Sequence, residues 1–72
     1  MNPIYKVKLK YIVRHLTTGE ALQYIWNVVD KEAEQEYSVC YIKQEDSVCH
    51  SDGRIVGCPS LIAIIKELSG EV

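Results

Sequence analysis

Residues 5–14 read Tyr5-Lys6-Val7-Lys8-Leu9-Lys10-Tyr11-Ile12-Val13-Arg14. Successive side chains of a β-strand point to opposite sides, so this alternation places the odd-numbered apolar side chains on one face. The stretch therefore predicts a strand of about residues 4–15, with one face in the core and one cationic face. The cationic face consists of Lys6, Lys8, Lys10 and Arg14.

Charge is distributed unevenly along the chain. Residues 1–16 hold four of the eight basic residues and no acid, whereas all ten acids lie in residues 17–72. The basic strand can therefore lie beside an acidic neighbour in the same molecule. The net charge of −2 gives no general attraction to nucleic acid or to an anionic membrane. The longest apolar run, residues 61–65, is too short to cross a bilayer, so we expect no membrane association.

Length and cysteine content limit the class of protein. A chain of 72 residues makes one domain at most, residues 1–72, and 47% hydrophobic residues is too much for a disordered chain. Three cysteines cannot all pair, which argues against a disulfide-stapled secreted domain. Residues 1–14 lack the apolar run of a signal peptide. We therefore expect a protein of the reducing cytoplasm.

Residues 17–36 fit two local structures. Thr17 and Glu20 have the spacing of a capping box, and apolar residues follow at helical intervals, which predicts a helix over about residues 20–34. These apolar residues are Leu22, Ile25, Trp26, Val29 and Ala33. The alternative is a strand, because residues 24–29 are rich in strand formers and residues 18–19 could turn the chain back on the first strand.

The second half of the chain predicts a meander followed by a helix. Residues 37–43, 47–50 and 54–57 have strand composition, and an Asp-Gly dipeptide separates the last two. Pro59 suits the first turn of a helix, and Gly70 is a predicted stop. The predicted fold is α+β: a small antiparallel sheet of about four strands with one or two helices packed on one face. If the first helix is a strand, a meander of four or five strands precedes one helix.

The cysteines and one histidine are the only set with the chemistry of zinc ligands. The set comprises Cys40, Cys49, His50 and Cys58. Structural zinc sites usually pair ligands two to four residues apart, and no such pair exists here. Cys58, near a helix start, is the best candidate for a reactive thiol, with His50 as its base. We expect core packing or helix capping from these residues, with metal or thiol chemistry as a weak alternative and no cofactor.

The basic strand face has two interpretations. Lysines two residues apart lie roughly 6.6 Å apart along a strand and could follow a phosphate backbone. Nucleic-acid-binding sheets usually add aromatic side chains that stack on bases, yet the alternation assigns Tyr11 to the core face. Lysines also protect an exposed strand against aggregation. We therefore favour a solvated, edge-protecting face and keep binding, to an acidic protein partner or to nucleic acid, as the alternative.

The last helix suggests contact with a protein. It has apolar residues at 61, 62, 64, 65 and 68, which is more apolar surface than a small domain easily buries. Trp26 is expected in the core, with an interface anchor as the alternative. These features predict a small non-enzymatic interaction module (a regulator, inhibitor or accessory subunit) with a protein partner and a homodimeric state. The candidate interaction residues are Lys6, Lys8, Lys10, Arg14, Trp26, Leu61, Ile62 and Ile65.

Overall fold

The computed structural model describes residues 4–72. The chain forms four strands and then one helix: β1 Tyr5–Arg14, β2 Ala21–Asp30, β3 Gln35–Ile42, β4 Ser47–His50 and α1 Pro59–Glu71. The strands make one antiparallel sheet in the order β1-β2-β3-β4. The predicted small α+β fold, a four-stranded antiparallel sheet with a helix on one face, is thereby confirmed.

The helix predicted for residues 20–34 is wrong, because residues 21–30 form β2. The buried residues of β2 are Tyr24, Trp26 and Val28, which recur at every second position, as in a strand. β2 lies between β1 and β3 and forms a hydrogen-bonded ladder with each. Aromatic and β-branched side chains pack well in such a position, so the strand alternative is correct.

Tight turns occupy the ends of the predicted helix. In the first turn the backbone N–H of His15 donates to the carbonyl of Glu20 at 2.8 Å. Gly19 takes a φ of 76°, a left-handed conformation that favours glycine. In the second, the Asp30 carboxylate accepts hydrogen bonds from the backbone N–H groups of Glu32 and Ala33, both at 3.0 Å. Side chains that bond to nearby backbone in this way stabilise turns and compete with helix.

The predicted third strand of the meander, residues 54–57, is reduced to a single bridge between Cys49 and Ile55. Asp52 explains this, because its carboxylate accepts the backbone N–H of Arg54 at 3.0 Å and pairs with the guanidinium at 2.6 Å. The chain is thereby held in a turn. Farther on, Pro59 has no N–H to donate to a ladder.

The hydrophobic core lies between α1 and one face of the sheet. It contains Tyr24, Trp26, Val28, Val39, Val48, Val56, Leu61 and Ile65. The buried residues of α1 are four apart, at Leu61, Ile65 and Ser69, which is the spacing of one helix stripe. Cys58 is the N-cap residue and Pro59 begins the helix as predicted, but Gly70 lies inside α1 and does not end it.

A buried hydrogen bond ties the helix to the sheet. The indole Nε1–H of Trp26 donates to the Ser69 hydroxyl at 3.0 Å, and both residues are buried. Ser69→Ala leaves that N–H without a partner, which is expected to lower the free energy of unfolding by about 1–3 kcal/mol. Urea unfolding followed by the fluorescence of the single tryptophan measures the change. Ser51→Ala, at an exposed serine, is the control and should change stability by less than about 0.5 kcal/mol. Equal midpoints for both variants would contradict the prediction.

Candidate binding face of the sheet

Helix α1 covers one face of the sheet, and within residues 4–72 no element covers the other. We call the sheet face opposite α1 the open face. Its side chains follow from the strand alternation and the register with the buried residues of β2 and β3. They include Lys6, Lys8, Tyr11 and Val13 of β1, Ile25, Asn27 and Val29 of β2, Glu36, Ser38, Cys40 and Ile42 of β3, and Cys49 of β4.

A β-bulge in β1 changes which side chains reach the open face. Leu9 pairs with Trp26 and Tyr11 pairs with Ile25, so Lys10 is an extra residue in β1. The alternation is reversed beyond it, and Ile12 packs against the core in place of Tyr11. Tyr11 is 56% exposed. The prediction that Tyr11 and Val13 face the core is therefore wrong.

Three of the four predicted basic residues lie together on the open face. Lys6 and Lys8 pair with residues of β2 on that side. The Lys10 ammonium donates to the Ser38 hydroxyl at 3.2 Å, so its side chain reaches across β2 to β3. Arg14 differs, because its guanidinium donates to the Gly19 carbonyl at 3.0 Å in the first turn. The predicted basic stripe is thus reduced to three lysines.

A row of apolar side chains crosses the open face at right angles to the strands. Its members are consecutive register partners: Tyr11, Ile25, Cys40, Cys49 and Ile55. Four spacings between neighbours of about 4.8 Å give the row a length of roughly 19 Å. It ends at Ile55, which is 83% exposed. Four of the five members line a shallow depression of about 290 Å³. We call these five residues the transverse row.

The open face carries more positive than negative charge. Its acid, Glu36, accepts a hydrogen bond from the Asn27 amide at 2.9 Å. Two other acids form their contacts elsewhere. Asp46 binds the Tyr41 hydroxyl and the Lys66 ammonium, which hold the pKa of its carboxyl below the usual value. Asp52 pairs with Arg54 in the turn after β4. Neither of the two ion pairs that the structure shows within residues 4–72 involves a lysine of the open face.

The structure brings together only two members of the predicted zinc set. Cys40 and Cys49 are direct register partners, whereas the sequence-based register placed Cys49 opposite Ile42 and Val56. The physical reason is a four-residue loop, residues 43–46, in which Asp46 takes a φ of 51°. Burial raises the pKa of the Cys40 thiol to about 11, and the neighbouring Cys49 adds to the shift.

The other two members of the zinc set lie away from that pair. The His50 ring lies 5.4 Å from the ring of Tyr37, while Cys58 hydrogen-bonds to the hydroxyls of Tyr5 at 3.1 Å and Ser60 at 3.2 Å. In the described part of the chain, no cluster of three or more histidine, cysteine or acidic side chains is placed to hold a metal ion.

Cys58 has an acidic thiol but no base beside it. Hydrogen bonds from Ser60 and then Tyr5 lower the pKa of Cys58 to about 7, and the same contact raises the pKa of Tyr5 to about 12. Among residues 4–72, no hydrogen bond joins Cys58 to His50, the base that the sequence suggested. Cys58 is the N-cap residue of α1, and its backbone carbonyl accepts the amide of Ile62 at 3.1 Å.

The apolar interaction candidates lie in the core of the single chain. Trp26, Leu61 and Ile65 are buried, and Ile62 packs against them. Their side chains form the contact between α1 and the sheet. α1 has 13 residues, and no helix in the described range is long and apolar enough to span a membrane.

The chain matches no protein-family model, no curated protein and no solved structure. A functional proposal for this protein therefore rests on the residues of the open face and their geometry.

One signal in the sequence marks the region around Tyr11 as irregular. Ile12 interrupts the basic side of the alternation, so that Tyr11, Ile12 and Val13 are three apolar residues in succession. A regular strand with one solvent-exposed face alternates apolar and polar residues and does not contain such a run, whereas a β-bulge accommodates it. The run identifies where the alternation fails, although it does not say which of the three side chains is exposed.

Proposed function

We propose that this protein is a small non-enzymatic interaction module that binds its partner with the open face of the sheet. The observation that carries the proposal is the transverse row, which runs across the uncovered side of the sheet. An antiparallel sheet that only faces water usually shows polar side chains there. The centre of this face instead has Ile25, Cys40 and Ile42. Apolar patches with a polar rim are typical of interaction sites.

The partner that this face fits best is a protein with an acidic, partly apolar surface. Lys6, Lys8 and Lys10 lie beside the transverse row, so one partner could contact both the apolar and the cationic part. Complementary charge of this kind mainly accelerates association and selects the partner, while the buried apolar contacts provide affinity. A regulator, inhibitor or accessory subunit acts through such a contact.

Single-stranded nucleic acid is the second candidate, and the position of Tyr11 favours it. The bulge at Lys10 places this aromatic ring on the same face as the lysines. A base that stacks on an aromatic side chain gains about 1–3 kcal/mol. The main sequence-based objection, an aromatic ring on the wrong face, no longer holds. The candidate ranks second because the face offers three lysines and the whole chain has a net charge of −2.

A pair of exposed apolar positions tests the proposal. Tyr11→Asp puts a charge into the transverse row, and Leu16→Asp puts one into the fully exposed first turn. We expect both variants to fold, because neither side chain is buried. Tyr11→Asp should lose the partner that the wild-type protein captures from its native lysate, and Leu16→Asp should retain it. The same partner captured by all three proteins would contradict the proposal.

Nuclease treatment of the lysate distinguishes the two partner classes. A protein partner should remain bound after nuclease, whereas a complex formed through nucleic acid should disappear. Sedimentation equilibrium at micromolar concentration measures whether the protein is also a homodimer, which stays a prediction.

The thiols agree with a reducing setting. Three cysteines cannot all pair within the chain, and we propose a cytoplasmic setting on that ground. Metal-dependent redox chemistry has less support, because His50 and Cys58 lie apart from Cys40 and Cys49.

A further inference from the structure

We propose that Cys40 and Cys49 form a dithiol site that a low-molecular-weight disulfide, such as glutathione disulfide, converts reversibly into a cross-strand disulfide. The site is a modification site on β3 and β4, and it does not depend on which partner the open face binds.

The register of β3 with β4 is the first support for this dithiol site. The Ser51 amide donates to the Ser38 carbonyl at 3.3 Å, and Cys40 and Cys49 lie two residues farther along the two strands. Because hydrogen-bonded pairs recur every second residue in an antiparallel ladder, the two cysteines also form such a pair. The Cα atoms of such a pair are about 5.5 Å apart, and disulfides span about 4.4–6.8 Å. The Cα spacing therefore allows the bond, while the Cβ atoms of such a pair, about 5 Å apart, must approach by roughly 1 Å when it forms.

Side-chain direction is the second support. Direct register partners point to the same side of a sheet, so both sulfur atoms lie on the open face. The neighbouring Cys49 thiol contributes to the raised pKa of Cys40. The Cys40 sulfur donates to the Gln23 side-chain oxygen of β2 at 3.4 Å, and forming the bond to Cys49 of β4 replaces this contact. Cys58 lies at the start of α1 and is not a competing partner for either.

Burial determines the order of the reaction. Cys49 is half-buried and lines the depression on the open face, whereas Cys40 is buried and the pKa of its thiol is raised to about 11. Cys49 is therefore the attacking residue: its thiolate attacks one sulfur of the reagent disulfide and displaces the first reagent thiolate. Cys40 then gives up its proton and attacks the Cys49 sulfur, displacing the second. Two protein thiols are oxidised, the reagent disulfide is reduced to two thiols, and the displaced thiolates take up the protons.

The bond closes a short hairpin. It joins β3 to β4 across the loop of residues 43–46, at the edge of the sheet. A disulfide reduces the conformational freedom of the unfolded chain, so the oxidised protein should melt about 5–15 °C higher than the reduced one.

The test is oxidation of the wild-type protein with glutathione disulfide, followed by alkylation and mass spectrometry. We expect a monomer lighter by two hydrogen atoms, with one alkylated cysteine instead of three and a peptide that links Cys40 to Cys49. Cys58→Ser is the control and should form the same link. Cys40→Ala should stop at the intermediate, with one glutathione on Cys49. Dithiothreitol should restore the reduced mass and melting temperature.

Two outcomes would overturn the inference. One is wild-type protein in which Cys40 and Cys49 are both alkylated after oxidation, whatever happens at Cys58. The other is a product linked between two chains, which would show that the cross-strand geometry does not favour the intramolecular bond.

Discussion

Ile65→Asp is expected to unfold the protein at 25 °C. Ile65 is 0% exposed in the middle of α1 and packs in the core with Leu61 and Val28. The substitution removes about 1.5–3 kcal/mol of apolar burial and places a carboxylate without a partner in the core. The combined loss should exceed about 4 kcal/mol, whereas a domain of this length has a total stability of about 4–11 kcal/mol.

Circular dichroism and the fluorescence of Trp26 measure this loss. The indole of Trp26 is buried against α1, so its emission should shift to longer wavelength when the helix detaches. Ala63→Asp is the matched control, because it introduces the same charge on the exposed side of the same helix. It should cost less than about 1 kcal/mol. An Ile65→Asp protein with unchanged melting temperature and mass would show that the core has been placed on the wrong side of α1.

The alternation in residues 5–14 correctly predicted β1, but it predicted the direction of the side chains only up to Leu9. Through Leu9 the alternation holds, and Tyr5, Val7 and Leu9 pack against the core as predicted. Beyond it, three apolar residues in succession satisfy either facing, so the pattern has no power to place them. The choice is made by the bulge at Lys10, which depends on pairing with β2 and is not a property of β1 alone.

The helix predicted for residues 20–34 failed for a related reason. Ile25, Trp26 and Val29 fit one side of a helix, and Tyr24, Trp26 and Val28 fit one side of a strand. The two patterns share Trp26, and local propensity separates them only weakly. Hydrogen bonding to strands on both sides decides in favour of the strand, and those partners are distant in the sequence.

The cysteine pair shows the same limit at the level of the candidate site. Sequence reasoning expected a two-residue tip at residues 45–46, which puts Cys49 opposite Ile42. The loop spans residues 43–46, so its centre lies one residue earlier than that of a tip at residues 45–46, and the partner of Cys49 shifts by two residues, from Ile42 to Cys40. The composition of the strands could not reveal this, because either register keeps both cysteines on the same face of the sheet. That face was expected to pack in the core under the helix, whereas it is the open face.

Replacing the three lysines of the open face should slow the association of the partner with this face. We expect the variant Lys6→Gln, Lys8→Gln and Lys10→Gln to fold normally, since all three residues are exposed. For a protein partner, association at low salt should slow by about tenfold or more, with a smaller change in dissociation. Surface plasmon resonance at two salt concentrations measures both rates.

The matched control changes the same amount of charge outside the open face. Arg14, Lys31 and Lys43 are exposed, and replacing these three with Gln gives the same net charge. This control should bind as the wild type does, because Arg14 is held in the first turn and the other two follow strand ends. Equal losses in the two variants would show a dependence on overall charge and would contradict a site on the open face.

The lysine variant also separates the three roles that the basic strand can have. If the face binds single-stranded nucleic acid, a labelled oligothymidylate should bind the wild type, and the slope of log affinity against log salt should fall by about 2 in the variant. If it binds an acidic protein, the oligonucleotide should not bind either protein, and only the association rate with the protein partner should change. If the lysines only protect β1, which is an edge strand, the variant should bind normally and aggregate more readily. We expect the second outcome, because the transverse row offers more apolar contact than one stacked base requires. The third outcome would remove the lysines from the binding site and leave the transverse row as its remaining candidate.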